Sequence, residues 1–133
     1  MEIGAGRGLW GELYRRFVAD NNVSSGNWIC TDASIKQKTF GSVEQLDGLA
    51  AIAKYPSCQT LVLCWPPYEN PLAYDVLKCF KGSQLIYVGE GEDGCTGDER
   101  FHALLEREWQ LVQTIEIDRW MGIYDDCKLY RRK

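Results

Sequence analysis

Residues 1–17 read MEIGAGRGLWGELYRRF. A short apolar start runs through Gly4, Gly6, Gly8 and Gly11 into a pattern in which Leu9, Leu13 and Phe17 recur every four residues. Glycine loses more backbone freedom on folding than any other residue, so four within eleven positions need a compensating reason. Alternating glycines at a strand end let the chain turn tightly and let a ligand approach the main chain. The amides of the helix that follows can then face a carboxylate or phosphate. Glu2, two residues before the first glycine, is an acceptor for an ammonium group or for the loop itself. A plain strand-to-helix turn is the alternative reading of the same glycines. The helical pattern places Trp10, Tyr14 and Val18 beside the apolar stripe, with Glu12, Arg15 and Arg16 opposite.

Beyond this stretch, strand and helix patterns alternate. NWICT (27–31) reads as a short buried strand stopping at Asp32, and KTF (38–40) is a weak strand candidate. VEQLDGLAAIAKY (43–55) has helical spacing through Val43, Leu46, Leu49, Ala50 and Ala53, and Pro56 stops it. QTLVLCW (59–65) is a continuous apolar run of the length expected for a strand buried on both faces, and it ends at Pro66 and Pro67. PLAYDVLKCFKG (71–82) opens with proline and closes with glycine, as helices do. QLIYVGE (84–90) is the next strand and GDERFHALLEREW (97–109) the next helix. LVQTIEI (111–117) and CKLYRR (127–132) read as a closing strand pair. This alternation predicts an α/β fold: a three-layer α/β/α sandwich, Rossmann-like, with a mainly parallel sheet and an antiparallel C-terminal strand. In such sheets ligands bind at the carboxyl ends of the strands, so the glycine loop, Asp32, WPPY (65–68) and GEGEDGCTGD (89–98) are expected on one rim.

The bulk composition fits one domain spanning residues 1–133. Hydrophobic residues make up 45% and charged residues 26%, ordinary values for a globular chain. The net charge of −4 offers no overall cationic field for a nucleic-acid backbone, and the local runs at Arg15–Arg16 and Arg131–Lys133 read as solvated surface. Six cysteines occur without CxxC spacing, beside a single histidine, so neither a zinc site nor a disulfide framework is expected. Cys30 and Cys64 lie in apolar runs, which suits a reduced, intracellular protein of the cytoplasm. No apolar run reaches membrane-spanning length. Only Met1, Glu2 and Ile3 precede the glycines, so either the first strand is very short or an upstream segment is missing. Exposed sheet edges near that short strand would allow a homo-oligomer.

Asp32 lies 24 residues after Gly8, where a carboxylate can accept from both ribose hydroxyls of a nucleoside ligand; a helix cap or Asx-turn is the structural alternative. At this point EIGAGRG resembles the first motif of class I S-adenosylmethionine-dependent methyltransferases, an acidic residue followed by alternating glycines. Asp32 matches their ribose-binding acid, and LVLCWPPY resembles their fourth motif, a strand running into a Pro-Pro-aromatic turn. The resemblance extends to small methyltransferase-like proteins with a WPPY motif and covers nearly the whole chain. It implies S-adenosylmethionine as cofactor, held by Glu2, Gly4, Ala5, Gly6, Gly8, Asp32 and Cys64. It implies an acceptor site around Trp65, Pro66 and Tyr68.

One departure is plain. Members that methylate exocyclic amines carry Asp, Asn or Ser before Pro-Pro, and here that residue is Trp65, whose indole donates but does not accept. The backbone carbonyls of Trp65 and Pro66 are left for that role. Trp65 and Tyr68 offer a stacking surface for a planar substrate, or they fill the core and cap the turn. In the acidic loop, Glu90 or Asp93 is a candidate general base and Cys95 a candidate nucleophile, while Thr96 or Asp98 caps the helix that follows. Three functions stay open: a methyltransferase with a small-molecule, protein or nucleic-acid acceptor, a non-catalytic binding or assembly module on the same fold, and a dinucleotide-dependent oxidoreductase. Against the last stand Glu2, the GxGxG spacing and WPPY.

Overall fold

The long apolar runs of the sequence form the middle of the sheet. In the computed structural model, which describes residues 1–21, 26–35 and 37–133, strands β4 (Thr60–Cys64) and β5 (Gln84–Gly89) pair in parallel with Leu61 opposite Leu85 and Leu63 opposite Tyr87. On the other side of β4 lies the two-residue β1 (Glu2–Ile3), then β2 (Cys30–Asp32) and β3 (Glu44–Gln45), all parallel. Strand β7 (Asp126–Arg132) runs antiparallel against β5, and β6 (Trp109–Ile115) closes the sheet beyond it. Among the described residues the order is β3-β2-β1-β4-β5-β7-β6, with the chain reversing its direction of growth between β1 and β4. This is the α/β architecture that the alternation of patterns predicts. The first strand, expected near an edge, lies inside the sheet, and the edges are β3 and β6.

Side-chain alternation sends Ile3, Leu61, Leu63, Leu85 and Tyr87 to one face, where α2 (Gly48–Lys54), α3 (Leu72–Cys79) and α4 (Glu99–Glu108) cover them. Ala51, Ala73, Val76, Leu77, Phe101, Leu104 and Leu105 complete this core, nearly all of it fully buried. Each such Leu, Val or Phe contributes about 1.5–3 kcal/mol by leaving water. Asp47 caps α2 by accepting from the Ala50 amide at 3.0 Å, and Asp98 caps α4 by accepting from the Phe101 amide at 2.9 Å. The cap at Asp47 also explains a difference from the sequence reading. Helical spacing begins there and not at Val43, and Glu44–Gln45 pair as a strand instead.

Helix α1 (Leu9–Asn21) lies on the opposite face, over Glu2 and Cys30, and it is turned the other way from its pattern. Leu9, Leu13 and Phe17 are 45%, 47% and 58% exposed, while Glu12 is buried and bonded by Arg15 and Arg16. The glycines decide this. A Cβ on Gly11 would stand 2.4 Å from Cys30 Sγ, and one on Gly8 would stand 2.6 Å from Val43 Cγ2, so the helix rests on its side-chain-free face. Glu12, one turn on from Gly8, follows that face inward. Among the described residues no helix is long and apolar enough to cross a membrane.

Candidate functional site

A cleft of about 230 Å³ opens at the carboxyl ends of the strands where the sheet changes direction. Gly4 follows β1, Asp32 and Ala33 end β2, Leu46 follows β3, and Cys64, Trp65 and Pro66 end β4; all of them line it. The sequence-predicted rim therefore exists for these segments. A separate depression of about 310 Å³ lies under α1, lined by Gly8, Gly11, Glu12 and Trp28.

The glycine loop divides into two kinds of glycine. Gly4, Gly6 and Gly8 all hold left-handed φ, at +70°, +54° and +73°, which a side chain rarely adopts. Around Gly4 and Gly6 a Cβ would meet nothing within 4 Å among the described residues, whereas Gly8 is filled against Val43. Gly4 and Gly6 thus expose main chain to open space, and Gly8 serves packing. The Ala5 amide donates to the Thr31 carbonyl at 3.0 Å, and the Gly6 amide donates to Asp32 Oδ2 at 2.8 Å. Asp32 Oδ1 accepts from the Ser34 amide at 2.8 Å, the Asx-turn that was its structural alternative. Both oxygens are engaged, yet a carboxylate has about four lone-pair sites, so Asp32 orders the loop and retains capacity toward the cleft.

Glu2 is not at the cleft. Its side chain points to the α1 face, where Oε2 accepts from Trp28 Nε1 at 3.0 Å and from the Cys30 thiol at 3.6 Å. It is 1% exposed, and burial raises its pKa against the lowering effect of these two donors. Burial, with the Glu2 charge adding to it, also pushes Cys30 up to about 12, so this thiol is inert. Cys64 does line the cleft. Its sulfur accepts from Trp10 Nε1 at 3.1 Å, and burial raises its pKa as well.

The WPPY turn is held by hydrogen bonds on nearly every side. Trp65 has φ +50°, a left-handed conformation that costs a non-glycine residue about 1–3 kcal/mol. Its amide donates to the Val88 carbonyl at 2.8 Å, and its indole Nε1 donates to Asp125 Oδ2 at 2.9 Å. The Pro66 carbonyl accepts from the Gly97 amide at 3.1 Å, and the Glu69 amide donates to the Gly97 carbonyl at 3.0 Å. Of the two carbonyls expected to serve an acceptor, Pro66 is therefore already bonded within the protein. Tyr68 does not join Trp65 in a stacking surface: it is 58% exposed and lines a neighbouring groove with Glu92, Asp98 and His102.

Glu90 clamps two loops. It is buried, Oε2 accepts from the Cys95 amide at 2.7 Å, and Oε1 accepts from the Tyr124 amide at 3.0 Å. These two N–H groups hold its pKa below the ordinary carboxylate value, which weakens it as a base. Its carbonyl accepts from the Tyr87 hydroxyl, which also bonds Thr96 Oγ1 at 2.5 Å; Thr96 in turn accepts His102 Nε2 on its carbonyl at 2.8 Å. The residues 91–97 are thus fastened to β5, to α4 and, through Glu90, to the loop before β7. Asp93 and Cys95 are exposed on that loop. The residue that sequence reasoning missed is Asp125, which joins the β6–β7 loop to Trp65. Its only sequence signal is an acidic pair at the start of the last strand, directly after Tyr124. Comparison of the chain with known protein families, with curated proteins and with solved structures finds no match.

Proposed function

We propose that the cleft binds S-adenosylmethionine and that the chain is a methyltransferase whose acceptor is a separate molecule. One observation carries this reading. Gly4 lines the cleft at the end of β1 with open space where a Cβ would be, Asp32 lines it from the end of β2, and the Gly6 amide ties the glycine loop to Asp32. The residues present suit the cofactor's parts: the backbone of the glycine loop for the amino-acid portion, the remaining lone pairs of Asp32 for ribose hydroxyls, and Ala33, Leu46 and Leu72 for a flat apolar base. At about 230 Å³ the cleft is smaller than a typical ligand pocket of about 300–1,000 Å³, and at Gly4 on its lining a Cβ would meet nothing within 4 Å among the described residues.

When bound, the cofactor supplies a methyl group on a sulfonium that a nucleophile can attack. The chain's own part is to hold donor and acceptor in line and to keep water out, which is where most of the rate gain of such a reaction arises. Cys64 and Trp65 close the cleft at the β4 end. Isothermal titration with S-adenosylmethionine and S-adenosylhomocysteine tests the reading: saturable binding is expected, and no binding at millimolar ligand would remove it.

A second reading, a non-catalytic binding module on the same fold, is favoured by two observations: Trp65 stands where an acceptor oxygen is expected, and Glu90 is tied to backbone amides. The two readings part in a transfer assay. Radiolabelled methyl incorporated into cell extract supports the enzyme, and cofactor binding without incorporation supports the module.

A further inference from the structure

Asp125 is a buried carboxylate with half of its hydrogen-bonding capacity unused. The residue is 8% exposed; Oδ2 takes the Trp65 indole N–H at 2.9 Å, while Oδ1 has no partner among the described residues. A buried carboxylate oxygen with nothing to accept is costly, and such atoms in native proteins have a reason. Arg119 does not supply the missing partner: its Nε bonds the Asp125 carbonyl at 2.8 Å and its Nη2 bonds the Asp126 carboxylate. Through the Trp65 indole the carboxylate stands next to the cleft that Cys64 also lines. Trp65, the donor on Oδ2, lines that cleft too, is 38% exposed, and holds a left-handed backbone.

We infer that Asp125 recognises a planar ligand carrying two N–H donors on one edge, an amidine, a guanidine or an amino-substituted heterocycle. One N–H of the ligand replaces the Trp65 indole on Oδ2 and the other fills Oδ1, giving the paired geometry that carboxylates form with such edges. The indole, released from the carboxylate, supplies a flat face for the ligand's ring. The present Trp65–Asp125 bond is thus a placeholder for the ligand's own donor. The inference names the class of the methyl acceptor, and for that role it rests on the methyltransferase reading.

The test uses the full chain with nitrogen-labelled tryptophan, whose five indoles give five N–H signals, Trp65 being assigned by its loss in Trp65→Phe. Benzamidine is titrated with and without S-adenosylhomocysteine. The expected result is a saturable shift of the Trp65 signal, no shift with benzyl alcohol, and at least tenfold weaker benzamidine binding in Asp125→Asn. In Trp65→Phe, where no indole competes for Oδ2, calorimetry should find benzamidine bound at least as tightly as in the parent. An unmoved Trp65 signal, an equal response to benzyl alcohol, undiminished binding in Asp125→Asn or lost binding in Trp65→Phe would each overturn the inference. If benzamidine binds through Asp125 while S-adenosylhomocysteine does not bind at all, the ligand site stands and the methyltransferase reading falls. If only S-adenosylhomocysteine binds, the reverse holds.

Discussion

At the amino-terminal rim of the cleft, Gly4 and Gly6 hold φ of +70° and +54° with free space where a Cβ would be; at the opposite rim, Trp65 holds φ +50° with its amide and indole both bonded to the protein. Left-handed backbone comes cheaply to glycine and leaves main chain bare, so the first rim is shaped for something to come close. The same backbone at tryptophan is strained, and it persists because β5 and the β6–β7 loop hold it from two sides. Glu90 and Gly97 extend that second framework, joining residues 65–69, 91–97 and 124–125 by hydrogen bonds. One rim stands open, and the other is held closed by its own hydrogen bonds.

Five substitutions press on this contrast, in falling order of effect. Gly11→Val should cost about 3 kcal/mol or somewhat more in urea denaturation, because its side chain drives into Cys30 and Trp28 in a packed helix–sheet contact. A near-neutral result would mean that α1 does not rest on its glycines. Gly6→Val meets no neighbour, so its stability loss stays within the roughly 1–3 kcal/mol of a strained backbone, while S-adenosylhomocysteine affinity falls by more than tenfold. Unchanged affinity would break the distinction between open and packing glycines.

Asp32→Ala should weaken the same ligand by about 1–3 kcal/mol, the range for removing a hydrogen-bond partner from a polar contact. Calorimetry reads this directly, and a smaller change would confine Asp32 to holding Gly6 and Ser34. The last test compares two buried carboxylates by their pH dependence. Glu90 has its pKa lowered by the Tyr124 and Cys95 amides, so its contribution is present at neutral pH and is lost as pH falls below the ordinary value of 4.5. Glu90→Gln should therefore lower the Tm at neutral pH and flatten the acid side of the Tm–pH curve. Glu2 has its pKa raised by burial, so its contribution is complete below 4.5 and is lost as pH rises through the raised value. Glu2→Gln should raise the Tm at neutral pH slightly, the opposite sign.

The sheet was legible because its strands carry their own signals. TLVLC and QLIYVG are apolar runs bounded by proline and glycine, and the helices before the first and after the second start at Asp47 and Asp98. The amino-terminal half of the cleft was legible for a similar reason, since glycine spacing and a strand-ending acid are local features. Three things were not. The orientation of α1 depends on where Gly8 and Gly11 touch Val43 and Cys30, so a periodic stripe at Leu9, Leu13 and Phe17 pointed the wrong way. Strand β3 has two residues, too few for any periodicity. The roles of Glu90 and Asp125 are set by partners 34 and 60 positions away, Tyr124 and Trp65, and no local pattern encodes such pairings.

The glycine loop at Gly4 and Gly6, tied to Asp32 at the end of β2, is the proposed seat of an adenosyl ligand. Amide chemical shifts of the nitrogen-labelled chain during titration with S-adenosylhomocysteine test it most directly. Saturable shifts centred on Gly4, Gly6, Asp32 and Ala33 are predicted; a flat titration at millimolar ligand, or shifts clustered under α1 around Gly11 and Trp28, would contradict it.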